Sequence, residues 1–142
     1  MAICQFKCIQ CGVPVTRPVS ELPDNTAVDV EDGHDHVPTG TYLINDEDNW
    51  TGMEGWYVVN LADAVNTQRH SDESRPNGCC GLDGLDGNNT VCSGGHEVGV
   101  EKSDCWMSHC LMLDPQAVEI VPAVQPLRSA ESASDDDGRE GR

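Results

Sequence analysis

Apolar and polar positions alternate most clearly along CWMSHCLML, residues 105–113. On an extended chain, Trp106, Ser108, Cys110 and Met112 share one face, and Met107, His109, Leu111 and Leu113 share the other. This stretch is predicted to be a strand, ended by Asp114-Pro115. TYLIND (41–46) and GWYVVNL (55–61) read as two more strands from their aromatic and β-branched content, with EDNWTGME as a hairpin connection. Shorter strands are expected at Glu97–Val100 and within AVEIVPAV. LADAVNTQRH predicts a helical turn or two.

The remaining segments break regular structure. PVTRPVSELPDNT carries three prolines and should be an extended connector. VDVEDGHDHVPTG is acidic and turn-rich, and SDESRPNG is a loop. From Pro126 the chain becomes PLRSAESASDDDGREGR, too polar and charged to bury anything. The pattern therefore predicts one small, mostly β domain over residues 1–124, with long loops and little helix. A disordered acidic tail over residues 125–142 should follow.

Composition sharpens this reading. Hydrophobic residues are 37% of the 142 and aromatics only 4%, which supports a modest core. Such a domain gains from cross-links or a bound metal. Acidic residues outnumber basic ones 25 to 8, for a formal charge of −17. No Lys or Arg lies between Arg17 and Arg69. Binding to nucleic-acid phosphates or an anionic membrane needs Lys and Arg, so both are excluded as partners. A basic protein suits this surface better. No apolar run reaches the roughly 20 residues of a membrane span. The opening MAICQFKCIQCG lacks a basic segment followed by an apolar one, so a cytoplasmic setting is expected. There, eight cysteines are more naturally metal ligands than disulfides.

Cys8-Ile9-Gln10-Cys11-Gly12 is the plainest ligand motif. Its spacing lets two thiolates grip one tetrahedral ion, and the trailing glycine admits a left-handed turn. A thioredoxin-like redox site would need the motif at a helix start, and Pro14 and Pro18 oppose a helix there. The second half of the site must come from Cys79, Cys80, Cys92, Cys105, Cys110, His96 or His109. NGCCGLDGLDGNNTVC supplies glycines at 78, 81, 84 and 87 that would let the backbone wind around an ion. The expected ligand set is Cys8 and Cys11 on one arm, with Cys79, Cys80, Cys92 and Cys105 on the other, holding zinc in a zinc-ribbon-like domain.

Competing chemistries fit less well. Cys4-x3-Cys8-x2-Cys11 has radical S-adenosylmethionine spacing, but the chain lacks the length and βα alternation of that barrel. Asp83, Asp86 and Asn88 do not match an EF-hand loop. His34-Asp-His36 sits in an acidic loop where exposed histidine is expected. Cys110, on the Trp106 face, reads as a buried hydrophobe. The tryptophans read as core anchors. An enzyme would pair Cys105 with His96 or His109. A redox or metal sensor would use a vicinal Cys79-Cys80 disulfide.

GCCGLDGLDGNNTVC and the following HEVGVEKSDCW resemble a family of small bacterial proteins of uncharacterised activity. The shared string is a G-C-C-G turn, D-G-x-N, a C-x-C-G-x-E-V-G segment and D-C-W, covering about residues 77–106. The resemblance implies that Cys79, Cys80, Cys92 and Cys105 belong together, in a bacterial cytoplasm. This chain departs from the pattern at Gly94, where the family carries a second cysteine.

Overall fold

The computed structural model of the chain describes residues 3–22, 28–45, 53–72, 78, 79, 81–84 and 87–123. Among the described residues nine strands form one sheet: β1 Ile3–Cys8, β2 Val19–Glu21, β3 Thr41–Ile44, β4 Tyr57–Val59, β5 Thr67–Arg69, β6 Thr90–Cys92, β7 Glu97–Lys102, β8 Cys110–Leu113 and β9 Val118–Pro122. Their order is β5-β6-β7-β8-β4-β3-β2-β1-β9. Only the β2–β3 pair is parallel. The expectation of a β-rich domain with little helix holds. Most of the expected hairpin connection at 47–54, most of the 71–78 loop and the tail beyond residue 123 lie outside the described residues.

The sheet curls, and a connector stitches its two ends. Val15 donates to the Phe6 carbonyl of β1 at 2.9 Å, while its own carbonyl accepts Val65 N–H at 2.9 Å, just before β5. Arg17 N–H to the Asp63 carbonyl (2.8 Å) and Asn66 Nδ2 to the Pro14 carbonyl (2.8 Å) extend the seam. Buried backbone groups need such partners, which is why this proline-rich connector lies so close to the sheet.

The curl encloses a core of Phe6, Cys8, Val15, Val19, Tyr42, Val59, Cys92, Val98, Leu111, Leu113 and Val118. The Phe6 ring is central, with centroids 5.2 Å from Tyr42 and 4.7 Å from Tyr57. A second cluster holds Leu22, Val37, Leu43, Val58, Cys110 and Met112. Side chains alternate across a strand, so Leu111 and Leu113 serve the first cluster and Cys110 and Met112 the second. The face assignment made from the alternation of residues 110–113 is therefore correct. Cys110 is fully buried, as expected, and burial pushes its thiol strongly up.

Several expectations need correction. Residues 61–70 hold one short helical turn, a 3-10 turn at Leu61–Asp63, and then turn into β5, which was not expected there. Asn60 Oδ1 caps the Ala62 amide at 2.8 Å, the Asp63 and Ala64 amides close the turn on the Asn60 and Leu61 carbonyls, and Val65 N–H then leaves it for the Val15 carbonyl of the connector. Residues 105–107 are a turn, because Asp104 Oδ1 accepts the Cys105 amide and the strand begins only at Cys110. β1 lies in a segment for which no strand was expected, and β2 in the proline-rich stretch read as an extended connector. Trp106 is 51% exposed rather than a core anchor, and its indole N–H donates to Asp104 Oδ2 at 2.9 Å. Trp50 is outside the described residues.

His36 is also not the exposed histidine expected. It is buried at 1% exposure, because the 34–36 segment pairs with His109 through both backbone directions, at 2.7 and 2.8 Å. Its Nδ1 lies 2.9 Å from Ser108 Oγ. Burial holds its pKa below the ordinary 6.5, so the folded state favours the neutral ring. That contribution is fully present above pH 6.5 and is lost as pH falls through the depressed folded value. Denaturant melts between pH 7 and 5 should show stability falling with acidification, with a shallower slope in His36→Gln. An equal slope in both proteins would remove His36 as the cause.

Candidate metal centre

Two tight turns build the centre. The first follows β1: Cys8 N–H bonds the Val13 carbonyl at 2.9 Å, and Gly12 N–H bonds the Cys8 carbonyl at 2.8 Å. Gly12 sits at φ +76°, the left-handed conformation that its trailing position in the motif predicted. The second joins β6 to β7. Cys92 N–H bonds the His96 carbonyl and Gly95 N–H bonds the Cys92 carbonyl, both at 2.8 Å. Gly95 takes φ +86°, and a Cβ at Gly94 would lie 3.3 Å from the His96 ring.

Five strands separate β6 from β1 in the sheet order, yet the curl brings their ends together. One donor atom from each of Cys8, Cys11, Cys92 and His96 lies within 4.8 Å of every other. Cys11 Sγ is 3.7 Å from Cys92 Sγ. His96 Nδ1 is 3.7 Å from Cys8 Sγ and 3.3 Å from Cys92 Sγ. A zinc tetrahedron, with bonds of about 2.3 Å to sulfur and about 2.0 Å to nitrogen, has edges of about 3.5–3.8 Å. Three sulfurs and one imidazole nitrogen at these separations suit that geometry.

The electrostatics favour a thiolate at Cys92. Burial opposes the charge, but the His96 and Gly94 amides, the His96 ring and the Cys11 thiol outweigh it and bring the pKa down to about 6. Gly94 N–H points at Cys92 Sγ at 3.3 Å. At Cys11 the Val13 backbone favours the thiolate, but desolvation and the Cys8 and Cys92 sulfurs leave the net shift upward. Packing several thiols this close penalises their joint ionisation, and a divalent cation would relieve that repulsion.

Of the sulfur ligands expected, Cys8, Cys11 and Cys92 are brought together here. His96 takes the fourth place, one of several alternatives the sequence offered. Its signal was Cys92-x3-His96 around two glycines, a knuckle spacing. Cys79 and Cys105 are not brought to this cluster. Cys92 and His96 precede β7, whereas Cys105 follows it, and a six-residue strand is roughly 20 Å long. Cys79 lies with Cys105, its amide on Asp104 Oδ2 at 2.9 Å. The resemblance grouped Cys92 with these two cysteines, and the structure places it elsewhere. Cys80 lies outside the described residues.

A second group, Asp29, Glu31 and His34, lies on the acidic loop, with Glu31 and His34 exposed. His34 Nδ1 is 2.8 Å from Asp29 Oδ2, and this contact raises its pKa. An ion pair accounts for the arrangement. No helix among the described residues is long and apolar enough to cross a membrane. Comparison of the chain with family models, curated proteins and solved structures returns no match.

Proposed function

We propose that the chain is a zinc-binding protein in which the ion at Cys8, Cys11, Cys92 and His96 is structural, and that it acts by binding another protein. The convergence of three thiols and one imidazole carries this reading. Four protein donors fill a tetrahedron and leave no position for water or substrate, the mark of a structural rather than a catalytic site. The paired knuckles, C-x2-C and C-x3-H, repeat the ligand arrangement of a zinc ribbon on a larger sheet. The ion ties β1 to the β6–β7 turn and so supports the curl.

The formal charge of −17 points to a basic protein surface as the partner, in the bacterial cytoplasm that the G-C-C-G resemblance implies. The test is metal content by plasma mass spectrometry on protein purified without chelator. Cys11→Ser, at an exposed ligand, should lose the ion bound in this cluster without leaving a core cavity. Full metal retention in Cys11→Ser together with His96→Ala would overturn the assignment.

A further inference from the structure

The four donors of the metal centre do not meet solvent equally. Cys8 ends β1 and Cys92 ends β6, each with its side chain in the core and 0% exposed. Cys11 stands on the turn beyond β1, where residues 9–12 are all exposed. A small reagent in solution therefore reaches the Cys11 sulfur before the other two. A cysteine's susceptibility to oxidation follows its thiolate character and its exposure, and a bound metal holds its cysteine ligands as thiolates.

A second sulfur stands beside the exposed one. Cys92 Sγ lies 3.7 Å from Cys11 Sγ, and a disulfide bond of about 2.05 Å needs the pair to approach by roughly 1.7 Å. Side-chain rotation at Cys11, on its exposed turn, supplies that movement. Cys92 is the fixed partner: Gly94 N–H and His96 Nδ1 both lie 3.3 Å from its sulfur. The two cysteines are 81 residues apart in the chain and join the same two turns that the ion joins.

We propose that Cys11 is an oxidative modification site for hydroperoxides, and that its oxidation closes a Cys11–Cys92 disulfide and expels the ion. The expulsion rests on the zinc reading of the cluster given above. In the first step the Cys11 thiolate attacks a peroxide oxygen. An S–O bond forms, the O–O bond breaks, and the leaving hydroxide or alkoxide takes a proton, giving a sulfenic acid at Cys11. The Cys92 thiolate then attacks the Cys11 sulfur. The S–S bond forms, the S–O bond breaks, and the departing hydroxide takes a second proton to become water. Two thiolates thus lose two electrons to one disulfide, while the hydroperoxide is reduced to water, with an alcohol or a second water. Cys8 and His96 alone remain as donors, half of a tetrahedron, and zinc leaves. A small dithiol reductant reverses the step by thiol–disulfide exchange.

The test treats the zinc-loaded full chain with hydrogen peroxide in rising molar ratio. Zinc release is followed with a chromogenic chelator, and disulfides are mapped by peptide mass spectrometry without reduction. About one zinc should be released for each Cys11–Cys92 disulfide formed, and dithiothreitol should restore zinc binding. Zinc retained under excess peroxide, with Cys11 and Cys92 unlinked, overturns the modification site and leaves the structural zinc standing. A Cys8–Cys11 bridge in its place, the closure that C-x2-C spacing alone would give, also overturns it. If the purified chain neither carries nor takes up zinc, the structural reading falls, and the reduced chain alone decides the pairing. Cys11–Cys92 as its first disulfide upholds the modification site, and any other first disulfide overturns it.

Discussion

Cys92→Ser is expected to abolish zinc binding at the four-ligand cluster and to lower the melting temperature by more than about 10 °C. Cys92 is fully buried and is the hub of the cluster, facing Cys11 Sγ at 3.7 Å and His96 Nδ1 at 3.3 Å. Structural zinc contributes on the order of 10–16 kcal/mol of apparent binding free energy, comparable with the ~5–15 kcal/mol net stability of a whole domain. Loss of the ion would leave the curl held by the shared core and the connector at residues 13–17. Cys110→Ala, in the second cluster and away from the ligands, should retain zinc and serve as the control. Thiolates must lose protons before they bind, so zinc affinity should fall as pH drops, most steeply once pH passes below the Cys92 value of about 6. Calorimetry on wild type before and after chelation gives a matching test. An unchanged melt after confirmed zinc loss would mean that the ion does not hold the fold.

Phe6→Ala carries the next largest expected effect, a loss of about 3–5 kcal/mol. Phe6 is fully buried and is the only phenylalanine in the chain. Its ring packs edge-on to Tyr42 and tilted against Tyr57, and the two tyrosines are themselves 6.3 Å apart. Phe6 also sits two residues before Cys8 on the same strand face, so the cavity should loosen the first knuckle. Urea unfolding of the zinc-loaded protein measures the loss, and a shift below about 1 kcal/mol would show that the core repacks around the gap.

Much of the strand content was legible because period-2 alternation is local. Residues 110–113 alternate between two buried clusters in the register their sequence implies, β3, β4 and β9 fall within the segments marked as strands, and β7 runs to Lys102, beyond the expected Glu97–Val100. The C-x2-C-G knuckle was equally legible, since spacing and a following glycine suffice to define a turn. β1 was less so, because in ICQFKC the inward positions are Phe6 and Cys8, and a cysteine reads as a ligand before it reads as a core residue. Residues 105–107 looked like strand because their alternation is real. What breaks it is the Asp104 side chain capturing the Cys105 amide, a competition that periodicity does not register.

The sequence by itself determined the class of ligand, the first knuckle, the β-rich architecture and the acidic surface, because each depends on residue type and short spacing. Only the tertiary structure decided which distant residues complete the metal cluster. Cys92 and Cys105 are both cysteines far along the chain from the first knuckle, and nothing local distinguishes them as partners for Cys8. The curl of the sheet does, by bringing the β6–β7 turn against the end of β1 while β7 carries Cys105 a strand's length away. His96 enters for the same reason: its C-x3-H spacing offered a donor, and the fold placed it 3.7 Å from a sulfur 88 residues earlier in the chain.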